Sequence, residues 1–104
     1  MDWLIRANKP ISSNLTMANN RELVKVFKAI GNERRFLILK HLFSKKELTV
    51  GEISKLINLS FKSVSRHLAI LYSASLIDVR KVNLNHIYFI DNEAAKEFIK
   101  FLRN

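Results

Sequence analysis

The residues Ser60-Phe61-Lys62-Ser63-Val64-Ser65-Arg66-His67 hold the densest group of side chains able to do chemistry in this sequence. Lys62 and Arg66 stand four apart, which on a helix puts them on one side, a turn from each other. An ammonium meets a phosphate as a point charge. A guanidinium can reach a phosphate or take a guanine edge bidentately. Ser60, Ser63 and Ser65 add short hydroxyl donors that permit close approach, and His67 borders the group, where it is expected to pack or bond at the helix edge. Nucleophilic catalysis by Ser60 or Ser65 fails for want of an ordered base and an orienting acid. A second polar group, Arg80, Lys81, Asn83, Asn85 and His86, is suited to a phosphate backbone or a minor groove.

These groups need elements to hold them. Asn19 with Glu22 has capping-box spacing and opens a first helix, with Leu23, Val26, Phe27 and Ile30 on its apolar side. Gly31 is expected to close it in the left-handed conformation. Asn32 can cap a second helix, whose Phe36, Leu37, Leu39, Leu42 and Phe43 make it apolar on most sides and therefore central. Ser44-Lys45-Lys46-Glu47 is a polar break, and Thr49-Val50-Gly51-Glu52 is a second capping box before a short helix. Asn58-Leu59-Ser60 is a tight link, with Ser60 as cap of a fourth helix. There Phe61, Val64, Leu68 and Leu71 recur at helical spacing and predict a buried face, opposite Lys62, Ser63, Ser65 and Arg66. After Ala74-Ser75 the period becomes two, predicting strands over 76–82 and 86–90 joined by Asn83-Leu84-Asn85. Asp91 or Asn92 then caps a last helix. A short helix, a tight link and a polar-faced helix form a helix-turn-helix, and the hairpin after it is a wing. The expected fold is mainly α with a β-hairpin wing, in the order α-α-α-α-β-β-α.

The chain has 104 residues, of which 48% are hydrophobic, enough for one compact domain with a true core. Residues 1–18, with Trp3-Leu4-Ile5 and Pro10, read as an N-terminal arm able to dock on its own domain or on a partner, and residues 19–104 as a winged-helix DNA-binding domain. There is no cysteine, which excludes disulfides and thiolate metal sites. His41, His67 and His86 share no ligand spacing, so neither a metal nor another cofactor is expected. No apolar run reaches the roughly 18–20 residues that span a bilayer, and no secretory signal opens the chain. A cytoplasmic protein without a membrane partner is the expectation.

Eighteen Lys+Arg against nine Asp+Glu leave a net charge of +9, which points to a polyanionic partner. Residues 21–46 carry +6 of it, 60–90 carry +3, and 91–104 are neutral. Glu52 is expected to form an ion pair with Arg34 or Arg35.

Residues 26–90 resemble the ArsR family of winged-helix repressors. The resemblance is carried by Phe27-Lys28-Ala29-Ile30-Gly31-Asn32-Glu33-Arg34-Arg35-Phe36-Leu37-Ile38-Leu39, by Leu48-Thr49-Val50-Gly51-Glu52-Ile53, and most specifically by the recognition-helix segment Ser60 to Leu71 with its Ser-Arg-His-Leu. It implies a homodimer that binds a pseudo-palindromic double-stranded DNA operator and represses transcription. Recognition-helix contacts would then come from Ser60, Phe61, Lys62, Ser63, Ser65, Arg66 and His67, and wing contacts from Arg80, Lys81, Asn83, Asn85 and His86. Dimer contacts would come from the first and last helices, at Leu23, Phe27, Ala95, Phe98, Phe101 and Leu102.

The sequence also departs from that family. Thr49 and Gly51 lie in the segment where metal-sensing relatives carry cysteines, and residues 91–104 contain no histidine. Neither family metal site is therefore expected. Ser75 replaces the glycine usual before the wing, and Phe61 stands where a polar base-reading residue is common. A different class of function, a winged-helix module for protein–protein assembly with incidental charge, would be favoured by an exposed Phe61. RNA binding is weaker, since a lone hairpin lacks an aromatic stacking platform.

Overall fold

The computed structural model describes residues 20–90 and 93–103, apart from the side chains of 94, 98 and 101–103. The order is α1 (Asn20–Ile30), α2 (Glu33–Lys45), β1 (Glu47–Thr49), α3 (Val50–Ile57), α4 (Phe61–Ser73), β2 (Asp78–Val82), β3 (Asn85–Phe89) and α5 (Glu93–Arg103). This is the winged helix-turn-helix expected, with one strand more. The N-terminal arm, the Asn19 cap and the Asp91 or Asn92 cap lie outside the described residues.

The core follows the apolar spacing. Ile38, Leu39 and Leu42 of α2 are at most 1% exposed, and around them close Val26, Ile53, Val64, Leu68, Leu71, Leu76 and Ile99. Helix α2 is central because it touches α1, α3, α4, α5 and the sheet. Its N-cap is Asn32, whose side chain accepts from the Arg35 N–H at 3.1 Å.

Three expectations are corrected. Glu47-Leu48-Thr49, expected to run from the polar break at Glu47 to the cap at Thr49, forms strand β1 and makes the sheet order β1-β3-β2. Three residues are too few to show a period, and only pairing with β3, Leu48 opposite Tyr88, reveals the strand. Gly31 does not take the left-handed conformation, which no glycine here adopts. Its N–H instead donates to the Phe27 carbonyl at 2.8 Å, and a Cβ at this position would come within 3.0 Å of that oxygen. Close approach, not handedness, is why glycine suits the two-residue link between α1 and α2. Phe61, expected with the buried face of α4, is 63% exposed. It is the first residue of the helix, with no earlier turn to flank it, so burial begins at Val64.

Candidate nucleic-acid interface

Helix α3 starts at a full capping box. The Thr49 hydroxyl accepts from the Glu52 N–H at 3.2 Å, and Glu52 Oε1 accepts from the Thr49 N–H at 2.8 Å. The carboxylate of Glu52 is thus held by its own helix start, which corrects the expected pairing with Arg34 or Arg35. The helix ends at Asn58, in the left-handed region at φ 52°. The Leu59 N–H and the Ser54 hydroxyl close the turn, donating to the Ser54 and Leu59 carbonyls respectively. Three residues suffice to swing the chain from α3 into α4.

At the start of α4, Ser60 Oγ accepts from the Ser63 N–H at 3.1 Å and donates to Ser63 Oγ at 3.0 Å. The Ser60 hydroxyl is thus committed to the cap as both acceptor and donor. No acidic residue sits in the first turn, so the positive end of the helix dipole stands beside Lys62. Lys62 and Arg66 are exposed, Ser65 is half-buried, and Val64, Leu68 and Leu71 hold the helix to the core. The helix therefore presents two cations and the Phe61 ring outward from a fixed inner face.

His67, which the resemblance places among the recognition-helix contacts and whose own expected role is to pack or bond at the helix edge, is half-buried and turned to α2, where its Nδ1 lies 3.2 Å from Arg35 Nη1. Because a guanidinium only donates, Nδ1 must be the unprotonated nitrogen of a neutral ring. Burial first, and then the charges of Arg35 and Arg34, hold the imidazole below its ordinary value of 6.5. The same Arg35 donates through Nε to the Ala29 carbonyl at 2.6 Å and through Nη2 to the Lys28 carbonyl at 3.2 Å. One guanidinium thus satisfies the carbonyl end of α1 and orients α4. Sequence reasoning missed this role; the Arg35–His67 proximity is a tertiary fact with no local spacing to announce it.

In the wing, β2 and β3 pair Arg80 with Ile87 and Lys81 with His86. Arg80 Nη2 lies 2.7 Å from Glu47 Oε2, and its guanidinium carbon is 5.4 Å from the centre of the Phe89 ring. That pair spans β1 and β2 across β3, which explains what the unanticipated strand does for the wing. Lys81, Asn85 and His86 are exposed, Asn83 turns the hairpin at φ 58°, and Leu84 at the tip is 93% exposed. Of the residues expected at a dimer contact, Phe27 is 62% exposed and Leu23 half-buried. Ala95 is instead wholly buried in the core of the single chain, where small size lets α5 pack against α2. The side chains of Phe98, Phe101 and Leu102 lie outside the described residues. Among the described residues no three His, Asp or Glu side chains cluster as metal ligands, and no helix is long and apolar enough to cross a membrane.

Comparison with known proteins gives one consistent result. The model of the bacterial regulatory proteins of the arsR family matches residues 32–79, from the α2 cap into β2. The transcriptional activator HlyU of Vibrio cholerae is 37% identical over 84 residues, 81% of this chain and 77% of that protein. Its solved structure matches with a TM-score of 0.74 at 36% identity, over 82% of this chain and 91% of that one. The HTH-type transcriptional regulator YgaV of Escherichia coli is 31% identical over 87 residues, 84% of this chain and 88% of that protein. The solution structure of the homodimeric winged helix-turn-helix DNA-binding domain Mb0332 of Mycobacterium bovis has a TM-score of 0.78 at 25% identity, over 86% of this chain and 82% of that one. A fold built to hold an outward basic helix beside a wing, and relatives matched over most of their length, lead to one conclusion: the chain belongs to the arsR family of helix-turn-helix transcriptional regulators.

Proposed function

We propose that this protein is a homodimer that binds a pseudo-palindromic duplex operator, with one α4 in each of two major grooves, and represses transcription by occupying it. The observation that carries this reading is the exposed Lys62/Arg66 pair, one turn apart on the side of α4 opposite Val64 and Leu68. A helix fits the B-DNA major groove, and residues near its N-terminus reach base edges. In this reading Arg66 takes a base edge or phosphate, and Lys62 a phosphate. Lys81, Asn83, Asn85 and His86 serve the flanking backbone or minor groove. Arg80 already pairs with Glu47, so it holds the wing in shape as well. Dimerisation is supported by Val24 and Phe27, 47% and 62% exposed on α1, and by the homodimeric state named for Mb0332. Regulation acts through binding alone, without a catalytic step. The metal sites usual in the family are not used: the chain has no cysteine, and Thr49 is engaged in the α3 cap.

Selection from a random duplex pool, followed by binding at physiological salt, tests the proposal. A recovered palindrome bound tightly by wild type and weakly by Arg66→Ala is the expected result. A reporter carrying that palindrome over a promoter then reads the sign, with repression expected. The second reading, a protein–protein assembly module, is favoured by the exposure of Phe61. Only weak, sequence-blind binding would support it.

A further inference from the structure

We infer that Phe61 is a specificity-determining residue that reads the C5-methyl group of thymine in the major groove. This rests on the DNA-binding reading above and deepens it. Phe61 is the first residue of α4 and is 63% exposed, although the helix otherwise keeps its inward face at Val64, Leu68 and Leu71 buried. Its neighbours fix the kind of surface it can meet. Lys62 beside it and Arg66 a turn on are exposed cations that draw a phosphate-lined groove to this end of the helix. The cap hydroxyl beside the ring is committed to the helix start: Ser60 Oγ accepts from the Ser63 N–H and donates to Ser63 Oγ. The first residue of the helix therefore offers the groove a ring with no hydrogen-bonding group.

Only one feature of the major-groove edges rewards such a group. Thymine carries a methyl at C5, where cytosine has only hydrogen, and a phenyl ring gains by removing that methyl from water. Burying one carbon is worth about 0.8 kcal/mol, or about fourfold in affinity per methyl. Placed against a cytosine or a purine edge, the ring would desolvate polar groups and return no bond. The operator half-site should thus carry thymine opposite the leading end of α4, with guanine or phosphate contacts of Arg66 adjacent.

The test uses an operator selected from random duplexes, with deoxyuridine replacing thymine one position per half-site. Wild type should lose about fourfold per methyl removed at one or two positions, with base pairing unchanged. Phe61→Ala should bind the thymine and uracil operators equally, and Phe61→Leu should retain part of the preference. Because the ring is exposed, both variants should melt like wild type. Indifference of wild type to uracil at every position overturns the inference, as does an undiminished preference in Phe61→Ala. If Arg66→Ala still loses operator affinity in that case, the DNA-binding reading stands and only the role of Phe61 falls. Failure to select any specific duplex overturns both.

Discussion

At the residue scale the protein divides its cations between two tasks. Lys62 and Arg66 face outward and Arg35 faces inward, though sequence alone gives all three the same charge. Replacing Arg66 by alanine should cost about 1–3 kcal/mol of specific binding, the worth of a bidentate base contact, as operator titration would measure. Lys62→Ala should weaken all sequences alike and lower the slope of log affinity against log salt by about one unit. A salt series on the two variants separates these effects. Arg35 supports structure, with its guanidinium on the Lys28 and Ala29 carbonyls and against His67 Nδ1. Arg35→Ala leaves the Ala29 carbonyl and His67 Nδ1 half-buried and unpaired and should cost about 1–3 kcal/mol in denaturant unfolding. His67 sets a pH dependence of known sign. Its folded pKa lies below 6.5, so as pH falls the unfolded chain takes up the proton first. Stability from this group is present above pH 6.5 and is lost as pH drops below it. Thermal melts from pH 7.5 to 5 should show the loss in wild type and a smaller loss in His67→Gln.

At the element scale the local rules account for most boundaries. Asn32, Thr49 and Ser60 all cap the helices their spacing indicates, because a cap needs only a side chain three residues from an N–H. Thr49→Ala, which removes one half of a capping box, should cost about 1 kcal/mol in equilibrium unfolding. Where a feature depends on a remote partner, the local signal fails. Strand β1 exists through its pairing with β3, and Glu52 chooses Thr49 because that N–H is closer than any arginine. The hairpin turn takes its left-handed residue at Asn83, whereas Gly31, expected to be left-handed, serves close approach to the Phe27 carbonyl instead. Ser75 holds φ 62° in the link to the wing, a conformation that disfavours any residue with a Cβ. Ser75→Gly should therefore raise stability by about 0.5–1 kcal/mol, read as a shift in unfolding midpoint.

At the scale of the whole molecule, the net +9 charge is spread unevenly along the chain. Most of the excess falls on α1, α2 and the residues between and just after them, while the proposed reading helix and wing carry +3. The winged helix-turn-helix was legible because each helix has its own apolar stripe and each turn its own capping residue. The site was legible in type but not in orientation: Ser60 and Ser63 turn to the cap, His67 to Arg35, and Phe61 to solvent. Those directions come from packing around α2, which no single stretch of sequence contains. The central claim is that two copies of α4 read one face of a duplex, and hydroxyl-radical footprinting on a selected operator tests it most directly. Two protected patches about 34–36 Å apart on the same face, both lost with Arg66→Ala, are predicted. Uniform protection along the duplex, or a footprint unaltered in that variant, would contradict it.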